Sequence, residues 1–116
     1  MLSGFKKMHP SGWRPEMLLI NKNEKKYRRY TALSKNAAAR ADKMNLGYVE
    51  ILVNEKTKML AVKPVKSKSE YSAKIGRSYR IPVDSAWEQL KGMGFSIKNR
   101  YTLMWNDDSA CWTAYL

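Results

Sequence analysis

Two stretches of this chain share one layout, and that repetition constrains the fold more than any other feature of the sequence. Residues 48–65, "YVEILVNEKTKMLAVKPV", and residues 101–116, "YTLMWNDDSACWTAYL", each open on a tyrosine-led apolar run, pass through asparagine and an acidic residue, and return through a second apolar run. In the first, Val49, Ile51 and Val53 alternate with Glu50 and Leu52, and Leu60 and Val62 alternate with Ala61 and Lys63. That is the period of two a half-buried strand requires. Asn54 and Asn106 stand where the chain must reverse, and asparagine tolerates turn backbones. Both stretches are expected to be β-hairpins.

The residues ahead of each hairpin correspond as well. In "YTALSKNAAARADKMNLG", residues 30–33 read as a strand and 36–44 as a helix; in "YRIPVDSAWEQLKGMGF", residues 79–83 and 85–93 do the same. Ser34 and Asp84 are in position to cap the helices, and Gly47 and Gly94 to end them. One more short strand precedes each, at 17–21 and 71–75. The unit is thus β-β-α-β-β used twice, over 17–65 and 71–116, with a Lys- and Ser-rich linker at 66–70. Ahead of both lies an extended arm, 1–16, in which Pro10, Gly12 and Pro15 exclude a helix. The expected fold class is α+β, mostly β. Lone hairpins are marginally stable, so the two units are expected to interlock around one small, shared, barrel-like core. Trp87, Leu90, Met93, Met104, Trp105 and Trp112 are expected on the inner faces of the second unit.

At 116 residues the chain has room for one modest core, or for two very small units sharing one. A hydrophobic share of 44% supplies apolar area enough to fold. The formal charge is +12 and its distribution is uneven. Eleven Lys and Arg against three Asp and Glu leave +8 in residues 1–43, whereas residues 44–69 carry +3 and residues 70–116 only +1. Charge that merely solubilises has no reason to gather in this way; a surface that meets phosphates does. Nucleic acid is the polyanion this points to.

Several function classes drop out. One cysteine, Cys111, cannot form an intramolecular disulfide, and one histidine, His9, leaves no Cys/His set for zinc. Asp107 and Asp108 are adjacent in a turn, with no other carboxylate or histidine spaced for a metal or an acid/base pair. Cys111 has no basic neighbour to make it a thiolate, and no phosphate-loop signature occurs. No enzymatic activity and no cofactor are expected. No apolar run approaches a membrane span, and "MLSGFKKMHPSGW" lacks the apolar stretch of a secretory signal, so a cytoplasmic protein without membrane contact is expected.

The densest cationic stretch is "KKYRRY", residues 25–30, where Lys25, Lys26, Arg28 and Arg29 surround Tyr27 and Tyr30, with Lys22 and Lys35 on either side. Cations alternating along a strand recur on one face every second residue, a spacing that follows phosphates along a groove edge. Arginine adds two-pronged contacts to phosphate or guanine. The competing reading is a charged strand edge that blocks aggregation. In the arm, Trp13 beside Arg14 sets an aromatic next to a cation, suited to stacking on an unpaired base. An indole there also suits a lid folded back over the core.

The second half, "GRSYRIPVDSAWEQLKGMGF" followed by "YTLMWNDDSACWTAYL", resembles the swapped-hairpin domain of the AbrB, SpoVT and MazE family. That family runs as a short strand, a Gly-Arg or Gly-Asn-Ser turn, a strand ending in Ile-Pro, a helix of one or two turns, and a hairpin with an acidic turn. Gly76, Arg77, Ser78, Arg80, Ile81 and Pro82 carry the likeness. The first half follows the same order without the turn glycine or the proline. In the family two chains interdigitate into one barrel-like DNA-binding unit, so two copies in one chain imply a fused pseudo-dimer, either monomeric or a homodimer. Arginines of the turn and strand start contact DNA in the family, which implies that role for Arg77 and Arg80. The resemblance also favours DNA over RNA.

The leading expectation is a small basic nucleic-acid-binding protein, transcription-regulator-like, whose basic first half contacts phosphates. A second is a phage- or plasmid-type accessory protein that uses the same surface to bind a partner protein, as an antitoxin or a host-enzyme inhibitor does. A third is a single-stranded nucleic-acid binder in which Trp13, Tyr27 and Tyr30 stack on bases.

Overall fold

A computed structural model describes residues 3–23 and 28–116. In chain order these form β1 (Glu16–Asn23), β2 (Arg28–Leu33), α1 (Lys35–Lys43), β3 (Tyr48–Asn54), β4 (Met59–Val65), β5 (Ser72–Lys74), β6 (Arg80–Ile81), α2 (Asp84–Gly92), β7 (Arg100–Asn106) and β8 (Cys111–Tyr115). Residues 3–15 lie outside any helix or strand.

The β3–β4 and β7–β8 hairpins turn in the same way. Asn54 Oδ1 accepts the amides of Lys56 and Thr57, and Lys58 takes a positive φ of 54° before Met59 rejoins the ladder opposite Asn54. Asn106 Oδ1 accepts the amides of Asp108 and Ser109, and Ala110 takes a φ of 51° before Cys111 pairs with Asn106. In both, the asparagine side chain supplies the acceptor that nucleates the turn.

The helices also end alike. Asn45 and Leu46 donate their amides to the carbonyls of Asp42 and Ala41, and Gly94 and Phe95 donate to Lys91 and Leu90. Asn45 (φ 56°) and Gly94 (φ 94°) hold the left-handed position that closes such an end. Gly47, expected to stop α1, therefore lies beyond a stop that asparagine makes. Each helix also begins one residue earlier than expected. Ser34 occupies the N-cap position of α1, but its hydroxyl accepts the Met17 amide (2.9 Å) and donates to Asn36 Oδ1 (2.6 Å) instead of capping the helix. Val83, not Asp84, precedes α2, which leaves the Asp84 carboxylate in the first turn, where the helix dipole favours it.

All eight strands belong to one sheet, in the order β5-β3-β4-β8-β7-β1-β2-β6. Its two edges meet through the turn between β5 and β6, where the Gly76 amide donates to the Arg80 carbonyl at 2.8 Å. The sheet is thereby a nearly closed barrel, mostly β, as expected from the paired hairpins. The strand expected over 79–83 shortens to Arg80–Ile81, because Pro82 has no amide to extend the ladder. Residues 66–71 connect β4 to β5, which returns to pair with β3.

Strand alternation fills the interior with Leu18, Leu33, Val49, Leu60, Val62, Ile81 and Trp112, and one face of α2 adds Trp87 and Leu90, each 2% exposed or less. Met93 and Met104 are corrections to the expected core, being 47% and 41% exposed. Met93 sits just past the end of α2, and Met104 falls on the outward beat between Leu103 and Trp105.

Side-chain hydrogen bonds at two places, Thr31 and Glu16, tie distant parts of the chain together. The Trp87 indole donates to Thr31 Oγ1 at 2.7 Å, satisfying a hydroxyl that is fully buried. Glu16 Oε1 accepts Trp112 Nε1 at 2.8 Å and Arg40 Nε at 2.7 Å, while Arg40 Nη2 reaches Oε2 at 3.0 Å. The Arg40 guanidinium also lies 5.0 Å from the Trp105 ring centroid. One carboxylate thus joins β1, α1 and β8. Burial pushes the Glu16 pKa up, but the hydrogen bonds from Arg40 and Trp112 and the charge of Arg40 outweigh it and hold the group below its ordinary 4.5. A depressed carboxylate stabilises the fold above its ordinary range, and that contribution disappears as pH falls through the lower folded value. Glu16→Gln is expected to cost about 1 kcal/mol near neutrality, a modest figure because Arg40 is partly exposed. In thermal melts followed from about pH 7 to pH 3, the gap between wild type and variant should shrink; a gap that stays constant would exclude an ionic role for Glu16.

Candidate nucleic-acid interface

Pairing of β1 and β2 sets Lys22 opposite Arg29 and Asn23 opposite Arg28. The ladder of β1 with β7 ends at Leu19↔Arg100, with one further bond from the Ile20 amide to the Asn99 carbonyl, and β2 meets β6 only at Thr31 and Ala32. Beyond these points, among the described residues, the two strands pair only with each other, so a two-stranded ribbon leaves the barrel. Lys22, Arg28 and Arg29 stand on it. Lys25, Lys26 and Tyr27 lie outside the described residues.

The barrel's closing turn sits at the root of this ribbon. Arg80 is opposite Ala32 of β2, and its guanidinium lies 4.3 Å from the Tyr30 ring centroid, a cation–π contact. Register continues the row from Arg80 through Ala32 and Leu19 to Arg100. The row's two arginines are therefore three strand spacings apart, roughly 14 Å. In the turn, Gly76 keeps a negative φ, and the left-handed positions fall to Ser78 (φ 54°) and Tyr79 (φ 60°). Two side-chain-bearing residues in that region store strain beside Arg77 and Arg80.

The arm approaches from the other side of α1. Trp13 is half exposed, stacked on His9 at 3.5 Å with the rings nearly parallel, and so does not close over the core. Asn36 Nδ2 donates to the Arg14 carbonyl at 2.9 Å and holds the arm at the start of α1. Trp13, Arg14 and Lys35 line one cleft; Lys35, Gly76 and Tyr79 line a second; Gly76, Lys74, Arg80 and Tyr30 line a third. Lys35 and Gly76 are shared, so the three run together from the arm to the ribbon. The candidates Trp13, Arg14, Lys35 and Arg80 all open onto this track, and Arg77 lies in the turn along it.

Carboxylates are few along the track. Glu16, Asp42 and Asp84 each line one cleft, and Glu16 is already engaged by Arg40. Among the described residues only Arg40 and Lys91 form ion pairs with carboxylates. The antiparallel register of β1 with β7 puts the Asp107–Asp108 turn beyond the opposite end of β1 from the ribbon.

Lys74, Tyr79 and Arg100 join the surface without having been singled out in the sequence. Lys74 precedes the Gly-Arg turn by two residues, which is a local signal. Arg100 has none, since only the pairing of β1 with β7, some 80 residues apart, brings it into the row. Among the described residues no group of three or more His, Cys, Asp and Glu is placed to hold a metal ion, and no helix is long and apolar enough to cross a membrane. Comparison of the chain with family models, curated proteins and solved structures finds no match.

Replacing Ser78 by glycine removes a left-handed side chain from an exposed turn position. Ser78→Gly is expected to raise stability by about 0.5–1 kcal/mol in chemical denaturation. A loss of stability would mean that the turn is not strained.

Proposed function

We propose that this is a nucleic-acid-binding protein of the swapped-hairpin kind, in which two β-β-α-β-β copies fused in one chain form a pseudo-dimer and meet duplex DNA with the β1–β2 ribbon and the Arg77–Arg80 turn. What carries the reading is the ribbon, which sets Lys22 opposite Arg29 and stands clear of neighbouring strands beside arginines that have no carboxylate partner among the described residues. A two-stranded ribbon fits the major groove of B-DNA.

The pseudo-dimer rests on the pairing pattern. Exchanging β1 with β5, β2 with β6, β3 with β7 and β4 with β8 converts β1·β7 into β5·β3 and β3·β4 into β7·β8, and leaves β2·β6 and β4·β8 as they are. Only β1·β2 lacks a full counterpart, and the Gly76–Arg80 hydrogen bond stands in its place. The exchange makes the Gly76–Arg80 turn the counterpart of the segment that joins β1 to β2.

A second reading, a single-stranded binder, draws on the continuous track of clefts that ends at the half-exposed Trp13. The arrangement disfavours Tyr30 as a stacking platform, since Arg80 already covers its ring.

Fluorescence anisotropy with labelled duplex and single-stranded probes across a salt series tests the proposal. Duplex binding is expected, with log K falling linearly in log salt at about 0.9 per phosphate contact. Arg77→Ala with Arg80→Ala should flatten that slope by about 2, and replacing Lys25, Lys26, Arg28 and Arg29 by alanine should abolish binding while leaving the melt cooperative. Duplex binding that is unchanged in the fourfold variant would overturn the assignment. Preference for the single strand, with loss on Trp13→Ala, would favour the second reading.

A further inference from the structure

We propose that the outer face of β3, β4, β8 and β7 is a homodimer interface, to which a second copy of this chain binds face to face. Register aligns Leu52, Ala61, Thr113 and Met104 in one outward row, with Met59 and Tyr115 in the next. Leu52, Met104 and Tyr115 are 47%, 41% and 66% exposed. These two rows carry no charge, in a chain where 28% of residues are charged and the net charge is +12. Two such molecules can approach closely only where cations do not face cations.

The ends of the face say which partner fits. The β3–β4 turn, with Glu55, Lys56 and Lys58, is net positive and borders the Tyr115 end of β8. The β7–β8 turn, with Asp107 and Asp108, borders the opposite end of β8. A two-fold axis in the plane between two such faces, perpendicular to the line from basic to acidic turn, sets each basic turn over the partner's acidic turn, and does so twice, because a two-fold interface is self-complementary. Apolar centre and reciprocal opposite charges at the rim are what a specific interface needs. In the eight-strand ring the β4–β8 junction lies four positions from β2–β6, so Arg80 lies across the barrel from the centre of the dimer face, while Arg100 stands at its rim on β7.

Light scattering coupled to size exclusion on the full chain tests this. The expected species is two chains of 13.4 kDa each. Leu52→Glu with Met104→Glu should give a monomer whose circular dichroism and cooperative melt match wild type. Lys56→Asp and Asp108→Lys, which spare the left-handed Lys58 and the bond from Trp105 to Asp107, should each weaken the dimer at least about tenfold, and together restore it. A wild-type monomer at concentrations up to about 100 μM, or a dimer that survives the Leu52 and Met104 changes, would overturn the proposal.

Discussion

The structure depends on strands of the first half pairing with strands of the second. Around the sheet, pairs from residues 16–65 alternate with pairs from 72–115, so that β7 and β8 lie between β4 and β1, and β3 and β4 lie between β5 and β8. Neither half retains a continuous sheet without the other. The buried polar contacts follow the same logic, since Thr31 completes Trp87 and Glu16 completes Trp112, each across a long stretch of chain. A buried indole N–H left without its acceptor costs about 1–3 kcal/mol. These contacts therefore specify the interleaved arrangement over any in which the halves separate.

Interleaving also sorts the surface. Because β2 and β6 are neighbours, the basic ribbon and the Gly76–Arg80 turn share one side of the barrel, although some 50 residues separate them. The β4–β8 junction on the far side carries the uncharged rows around Leu52 and Met104. The positive charge that the sequence concentrates in residues 1–43 is thus joined in space by Lys74, Arg77, Arg80 and Arg100 from the second half, which by composition alone is nearly neutral. A polyanion meeting this side would find cations from both halves. The proposed function draws on that convergence and not on the net charge.

What was legible in the sequence was local. The alternation in 48–65 and 101–116, the two turn asparagines and the short helices each depend on residues within a few positions of one another, and each appears where expected to within a residue or two. Contributions that arise from distant neighbours were not legible. Met104 has the side chain of a core residue and Glu16 that of a surface residue, yet register turns the first outward and brings Trp112 to the second. The end of α1 was misjudged for a different reason: asparagine and glycine both tolerate the left-handed region, and Asn45 reaches it two residues before Gly47. Of the candidate site, the cations were readable as a run, but the placing of Arg80 over Tyr30 and of Lys35 beside the closing turn came only with the fold.

The most direct test of where a polyanion engages this barrel is an amide chemical-shift titration of the isotopically labelled protein with a short DNA duplex at low salt. The account predicts the largest shifts on the β1–β2 ribbon and on Gly76 to Arg80, smaller ones along Lys35 and Arg14, and none on Leu52, Ala61, Thr113 or Met104. Shifts centred on that uncharged face, or no shifts anywhere at low salt, would contradict it.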